Sequence, residues 1–249
     1  MKNFVFAVCL GFLFLVPEEK KTIRIFLAGD STMSIKDTRA YPETGWGMPF
    51  VHFWDSTVQV VNRAKNGRST KTFISEGIWK SIIDEAGAGD YILIQFGHND
   101  EAKEKLERYT TPEEYKSNLV RFVSDARSKK AIPVLLTPVT RRRFDSTGQI
   151  LQTHEQYSKL VREVAKEQGA VLIDLDEKSR ALLQEFGKKD SKLLFLQLKP
   201  GEHPNYPEGK DDNTHFNELG ARLVAQLVLE DLKTQVPGLA SRIIKPRQK

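Results

Sequence analysis

The sequence predicts one α/β domain, a three-layer α/β/α sandwich around a mostly parallel five-stranded sheet. Two observations support this fold class. Short apolar runs alternate along the chain with longer amphipathic stretches, which is the order of βαβ units. Each apolar run is also nearly continuous, which is typical of a strand buried on both faces. The length of 249 residues and the 39% share of hydrophobic residues suit one domain of moderate size.

The strands and helices of this domain can be placed from local signals. Five apolar runs are predicted as strands, at residues 23–28, 58–61, 91–95, 132–136 and 171–173. Three amphipathic segments are predicted as helices, at residues 112–129, 153–168 and 217–233. The first of these helices has Pro112 at its first turn, and the last begins at Asn217, whose side chain suits an N-cap.

Two segments lack such signals. Residues 189–214 are rich in Pro and Gly and are too long for a plain connection, so we expect an irregular loop with a functional role. The domain is expected to cover residues 21–235, and the basic tail 236–249 is expected to lie at its periphery.

The N-terminus has an apolar run from Phe4 to Val16 after a single lysine. This run is too short to cross a bilayer as a helix and fits a secretory signal, although no Ala-x-Ala pattern marks a cleavage site. We expect a signal peptide over residues 1–17 and a secreted or periplasmic protein without stable membrane insertion. The alternative is an ordinary start of a cytosolic chain. The single cysteine, Cys9, lies in this run, so the mature protein is expected to have no thiol chemistry.

Composition argues against several other classes of protein. The net charge is +5, but the basic residues are scattered and no aromatic residues interleave with them, so no nucleic-acid partner is expected. A solvated basic surface and a preference for an anionic substrate both remain open. The chain has no HExxH motif and no cysteine pair, and its five histidines are dispersed, so neither a metal nor a cofactor is expected. No obligate protein partner is evident.

Ser31 is the first candidate for chemistry. It comes two residues after the first predicted strand, where Gly29 permits a tight turn, so it is expected at the carboxyl edge of the sheet. The alternative is a helix-capping serine after a βα turn. No Gly-x-Ser-x-Gly elbow and no GxxxxGK[ST] loop occurs, which argues against ordinary α/β-hydrolase and P-loop chemistry.

His215 and Asp212 can supply what a serine nucleophile needs. A serine hydroxyl requires a neutral imidazole to take its proton, and the imidazole requires an acceptor on its other nitrogen. A separation of three residues lets both side chains project from one turn before a helix. Because the base must begin neutral, activity is expected to fall on acidification. The alternative is an unrelated surface pair.

Gly67 and Asn99 are candidate donors to the oxyanion that acyl transfer creates. A glycine lets its backbone N–H approach the oxyanion closely, the Asn99 amide adds a second donor, and the N–H of Ser31 adds a third. The alternatives are a plain Asn-Gly turn for Gly67 and an Asx turn or a helix cap for Asn99. His98, next to Asn99, is interpreted as a structural hydrogen-bonding residue rather than a second base.

Taken together, these residues resemble the SGNH hydrolase superfamily, also called the GDS(L) esterases. The four blocks appear in order as Gly29-Asp30-Ser31, Gly67, Gly97-His98-Asn99-Asp100 and Asp212-Asn213-Thr214-His215. The resemblance covers residues 23–233 and implies a flavodoxin-like sandwich. It also implies a catalytic triad, which consists of Ser31, His215 and Asp212. The oxyanion hole that it implies consists of Ser31, Gly67 and Asn99.

Within the superfamily the chain is most similar to bacterial rhamnogalacturonan acetylesterases. The shared features are Gly29-Asp30-Ser31-Thr32-Met33, Gly45-Trp46-Gly47, the segment 137–142 and the segment 205–216. The implied reaction removes O-acetyl groups from a pectic polysaccharide, whose galacturonate residues are anionic.

Candidate substrate contacts follow from this resemblance. Arg141 and Arg142, with Arg143, become candidate contacts for a carboxylate, because guanidinium matches that group. The alternative is that these arginines are solvated on a loop. Trp46 is a second kind of candidate, either as a sugar-stacking residue or as an anchor for a helix.

Two other functions stay open at this point. A lipase or thioesterase for longer acyl chains would use the same chemistry but needs an apolar channel, against which the polar segment 189–214 argues. A catalytically silent carbohydrate-binding protein on the same fold would not need the complete set of Ser31, Asp212 and His215.

Overall fold

The structure, a computed structural model, describes residues 21–245. The predicted signal segment 1–17 and the last four residues of the predicted tail lie outside the described residues. The main strands are β1 (Ile23–Gly29), β2 (Val58–Asn62), β3 (Tyr91–Gln95), β4 (Ile132–Leu136) and β5 (Val171–Ile173). Each lies within one residue of its predicted bounds.

These five strands form one sheet in the order β2-β1-β3-β4-β5, and all neighbours are parallel. The chain moves from β1 to one side of the sheet and then returns to the other side, so the order reverses between β1 and β3. Open α/β sheets bind ligands outside the carboxyl ends of the strands at such a reversal. The segments that follow β1 and β3 are therefore placed where a site is expected.

Two hydrophobic cores sandwich the sheet. On β1, the side chains of Ile25 and Leu27 belong to one core and those of Phe26 and Ala28 to the other, and all four are fully buried. The first core is covered by α1 (Gly47–Phe50), α6 (Leu175–Asp190), α7 (Glu218–Gln235) and α8 (Pro237–Ala240). The second is covered by α2 (Thr70–Ser75), α3 (Ile78–Glu85), α4 (Pro112–Ser128) and α5 (Glu155–Gln168). The predicted three-layer sandwich is confirmed.

The segment 189–214 is not the irregular loop that its composition predicts. It contains β6 (Phe195–Leu198) and the start of β7 (Lys210–Phe216), which pair as a small antiparallel sheet. The rings of Phe195 and Phe216 lie 5.2 Å apart and join this sheet to the first core. Strand β7 gives no apolar signal because its residues before Phe216 are polar.

The described part of the predicted tail is also not peripheral. Leu239 in α8 is fully buried in the first core, and Val236 is almost as deeply buried. Arg242 donates hydrogen bonds to the backbone and side-chain oxygens of Thr57 at 3.1 and 2.7 Å. Residues 236–242 therefore pack against the rest of the chain. No helix within residues 21–245 is both long and apolar enough to cross a membrane.

Candidate active site

Ser31 lies in a tight turn at the carboxyl end of the central strand β1. A Cβ atom on Gly29 would lie 2.8 Å from the carbonyl oxygen of Gln95 in β3, so only glycine allows the two strands to approach this closely. After Gly29, the carbonyl of Asp30 accepts the N–H groups of Met33 and Ser34 at 3.3 and 3.1 Å. This turn places Ser31 at the floor of a cavity, with 8% of its surface exposed.

The structure brings Ser31, His215 and Asp212 into one hydrogen-bonded chain. The distance from Ser31 Oγ to His215 Nε2 is 2.9 Å, and that from His215 Nδ1 to Asp212 Oδ2 is 2.8 Å. The sequence predicts that His215 and Asp212 lie on a turn before a helix. In the structure both lie on strand β7. They still meet because Asp212 Oδ1 accepts the backbone N–H groups of Thr214 and His215, which curls the strand locally.

The electrostatics of Asp212 suit a group that orients a histidine. Burial alone would raise its pKa, but hydrogen bonds from the His215 ring and from the backbone of His215 and Thr214 hold the pKa well below its usual range. Asp212 is therefore ionised at neutral pH and accepts the Nδ1–H of His215. The Nε2 atom of His215 is then free to accept the Ser31 proton.

The predicted oxyanion donors line the same cavity. Gly67 has a φ angle of +75°, which glycine adopts without strain. Asn99 uses one amide hydrogen to donate to Arg68 O at 2.9 Å, which ties the segment after β3 to the Gly67 loop and leaves its second hydrogen available. Among residues 21–245, the backbone N–H groups of Ser31 and Gly67 donate to no protein acceptor.

Lys36 joins the serine turn to the glycine loop, a role that the sequence does not reveal. Its buried ammonium donates to Ser31 O at 2.5 Å and to Asn66 Oδ1 at 2.8 Å, and it lies 2.7 Å from Glu43 Oε1. Burial lowers the pKa of Lys36, and the Glu43 carboxylate opposes that shift. Ser31 and the loop of Gly67 are thus held by one cation.

His98 lines the cavity, and its ring lies against the buried carboxylate of Asp30. Burial would raise the Asp30 pKa, but contacts with His98, 3.3 Å away, and hydrogen bonds from Thr32 lower it to about 2. Burial and the neighbouring His154 lower the pKa of His98 to about 4. His98 is therefore neutral at neutral pH, and its role as a structural hydrogen-bonding residue stays a prediction.

Two of the predicted substrate contacts are wrong. Trp46 is fully buried in the first core and donates its indole N–H to Gln95 Oε1 at 2.7 Å, so it is an anchor that no sugar can reach. Arg142 does not line the cavity, because its guanidinium donates to Ser191 Oγ, Asn213 Oδ1 and the carbonyl of Lys188. It secures β7 to the end of α6.

Arg141 does line the cavity, with about a third of its side chain exposed. It donates to Thr214 Oγ1 at 2.7 Å and lies 3.6 Å from Glu101. Its contact with substrate stays a prediction. Arg143 is exposed on the loop that follows.

The cavity has a volume of about 500 Å³ and polar walls. Its lining consists of Ser31, Glu43, Asn66, Gly67, His98, Asn99, Ala102, Glu104, Lys105, Arg108, Arg141, Thr214 and His215. A second cavity of about 380 Å³ shares the wall formed by His98, Ala102, Glu104 and Arg141. In the described part of the chain, no group of three His, Cys, Asp or Glu side chains is placed to hold a metal ion.

This geometry agrees with a known family of hydrolases. The family model for GDSL-like lipases and acylhydrolases matches residues 27–223, from β1 through both halves of the site. The chain belongs to this GDSL-like lipase/acylhydrolase family. The resemblance seen in the sequence blocks is therefore confirmed. As a member of this family, the chain is an esterase.

Individual relatives refine the comparison. The GDSL-like chain is 44% identical over 214 residues to the rhamnogalacturonan acetylesterase RhgT of Bacillus subtilis, an alignment covering 86% of this chain and 91% of RhgT. The crystal structure of the YxiM protein of Bacillus subtilis superposes with a TM-score of 0.74 at 28% identity, covering 86% of this chain and 57% of that one. An acetyl-xylooligosaccharide esterase from Geobacillus has the same fold, with a TM-score of 0.60 at 18% identity and coverage of 86% and 96%.

Proposed function

We propose that the chain is a serine carbohydrate esterase that removes O-acetyl groups from a plant cell-wall polysaccharide, foremost pectic rhamnogalacturonan. The observation that supports this most directly is the 2.9 Å contact between Ser31 Oγ and His215 Nε2 at the cavity floor. Similarity to RhgT over most of both chains supports the choice of substrate. The apolar run from Phe4 to Val16 supports action outside the cytoplasm.

The reaction proceeds in two steps. Ser31 Oγ attacks the acetyl carbonyl carbon while its proton passes to His215 Nε2, and the N–H groups of Ser31 and Gly67 with the Asn99 amide stabilise the oxyanion. The bond from carbon to the sugar oxygen then breaks, and His215 returns the proton to that oxygen. In the second step water loses a proton to His215 and attacks the acetyl carbon, the bond from that carbon to Ser31 Oγ breaks to release acetate, and His215 returns the proton to Ser31 Oγ.

The size of the acyl group is tested with a series of p-nitrophenyl esters. The polar walls of the cavity offer no apolar channel, so acetate is expected to be hydrolysed fastest and octanoate slowest. Acetate release from acetylated rhamnogalacturonan, acetylated xylan and acetylated mannan, with the Ser31→Ala protein as blank, then tests the polysaccharide. A preference for octanoate, or nitrophenyl ester turnover without release of acetate from any polymer, would contradict the proposal.

Lys36→Met is expected to lower kcat without a matching rise in KM. Loss of one complete oxyanion donor lowers kcat by a factor of about 10² to 10³. Without the Lys36 ammonium the Gly67 loop is misplaced and its donor is weakened only in part, so we expect kcat to fall about tenfold or more. Steady-state kinetics on p-nitrophenyl acetate measures the split between kcat and KM.

Two controls separate positioning from stability. Lys80→Met changes an exposed lysine on α3 and is expected to leave kcat unchanged. The double variant Lys36→Met with Glu43→Gln removes the carboxylate that the single variant leaves unpaired, so it recovers stability but not kcat. A folded Lys36→Met protein with the kcat of the parent would contradict the positioning role.

A further inference from the structure

Arg108 lies on the wall of the active-site cavity, beside the loop that contains Gly67. Its Nη1 atom lies 3.5 Å from the carbonyl oxygen of Gly67 and 3.2 Å from the place that a Cβ on Gly67 would take. Within residues 21–245, this long contact is the only hydrogen bond made by the guanidinium, which takes part in no ion pair. Its Nε atom is buried without a hydrogen-bond partner. The guanidinium is therefore a cation with unused donors next to a candidate oxyanion donor.

Two other cations, one on the cavity wall and one behind it, are engaged by protein groups. Arg141 donates to Thr214 and faces Glu101, and the Lys36 ammonium is shared by Ser31, Asn66 and Glu43. The ion pair with Lys36 also neutralises Glu43, one of the two acidic side chains on the cavity wall. The other acidic residue and the remaining lysine, Glu104 and Lys105, are both exposed to solvent. Arg108 is thus the partly buried cation whose charge the protein leaves uncompensated.

We infer that Arg108 is the residue that binds the carboxylate of a uronic acid residue that neighbours the acetylated sugar. This inference rests on the proposed acetylesterase function and adds to it the residue that recognises the charge of the substrate. A guanidinium pairs with a carboxylate through two parallel hydrogen bonds, and such charge-assisted bonds are stronger than neutral ones. A ligand carboxylate also supplies acceptors for donors that the protein itself leaves unused.

The position of Arg108 brings this contact close to the reacting atoms. Because the guanidinium lies against the Gly67 loop, a carboxylate held there fixes the sugar chain close to the oxyanion donors. A small neutral ester has no group to place on Arg108 and reaches Ser31 without it. The residue therefore selects among polymers by their charge.

The test compares acidic and neutral substrates in the Arg108→Gln variant. We expect kcat/KM on acetylated rhamnogalacturonan oligosaccharides to fall about tenfold or more, mainly through KM, because one charge-assisted contact of roughly 1.4 kcal/mol corresponds to a factor of ten. The factor lost on the acidic oligosaccharide is expected to exceed clearly any factor lost on p-nitrophenyl acetate and on neutral acetylated xylo-oligosaccharides, since neither of these carries a carboxylate. Retained turnover of p-nitrophenyl acetate also shows that the variant is folded.

Two further variants sharpen the comparison. Arg108→Lys keeps the charge but loses the two-pronged geometry, so it is expected to restore only part of the activity on the acidic oligosaccharide. Arg121→Gln, which changes an exposed arginine on α4, is expected to match the parent on all substrates.

The possible outcomes separate this inference from the proposed function. An Arg108→Gln variant that keeps parental KM on the acidic oligosaccharide, or that loses the same factor on all three substrates, would overturn the inference. A parent enzyme that deacetylates xylan but not the acidic polymer would overturn it while leaving the acetylesterase function in place. A parent enzyme that hydrolyses no acetyl ester would overturn both.

Discussion

Ser31→Ala is expected to abolish hydrolysis of p-nitrophenyl acetate, with kcat reduced roughly 10⁶-fold, as happens when the nucleophile of a serine hydrolase is removed. The side chain supplies the attacking oxygen, and no other hydroxyl lies within hydrogen-bonding distance of His215 in the described structure. The substitution removes only the Oγ atom and its contact with His215, so the free energy of unfolding is expected to change by no more than about 1 kcal/mol.

The measurement for Ser31→Ala combines steady-state kinetics with thermal unfolding. Ser81→Ala is the matched control, because Ser81 is a half-buried serine that bonds to a backbone carbonyl in α3, away from the cavity. Its activity is expected to equal that of the parent. Residual turnover above about one part in 10³ in Ser31→Ala, in protein free of parent enzyme, would assign the nucleophile to another residue.

Asp212→Asn is expected to lower kcat by about 10⁴-fold while leaving the protein folded. An asparagine can still accept the backbone N–H groups of Thr214 and His215 through its oxygen, so the local bend of β7 is retained. Its amide then faces His215 Nδ1 as a donor, which forces the ring proton onto Nε2 and removes the acceptor that Ser31 needs.

The control for this prediction is the neighbouring Asp211→Asn. Asp211 accepts hydrogen bonds from Gln197 and Asn213 on the exposed side of β7 and does not line the cavity. Activity within about tenfold of the parent for Asp212→Asn would show that His215 does not depend on this carboxylate for its orientation.

The pH dependence follows from the same carboxylate. Because the pKa of Asp212 is held well below its usual range, Asp212 stays ionised as the pH falls below neutrality. Loss of activity over that range is therefore not expected to come from Asp212, which titrates only in strong acid. The stability that Asp212 contributes is present above its unfolded pKa and is lost as the pH falls toward its folded pKa.

Much of the fold could be predicted because its strands are buried on both faces. Burial on both sides requires continuous apolar runs, and these mark β1 and β3 in the sequence without ambiguity. The small sheet of β6 and β7 could not be predicted, because it does not depend on strands buried on both faces. Its second strand is stabilised by pairing with β6 and by polar side chains such as Asp212, which leave no periodic apolar signal.

The candidate active site, like the fold, could be predicted only in part. Ser31, Gly67 and Asn99 could be predicted because each follows the end of a strand, and parallel strands bring these ends to one edge. Lys36 and Arg108 could not, because a lysine after a turn and an arginine in a charged run read as solvated residues until tertiary contacts are known. Trp46 failed as a substrate contact since sequence alone does not distinguish a stacking indole from a buried one.

The central claim, that Ser31 is acetylated during turnover, is tested most directly by trapping the intermediate. The parent enzyme and the Ser31→Ala variant are mixed with p-nitrophenyl acetate, quenched in acid within milliseconds and digested for mass spectrometry. The account predicts a mass increase of one acetyl group on the peptide that contains Ser31, in the parent only and during turnover only. An acetyl group on another residue, or the same labelling in both proteins, would contradict it.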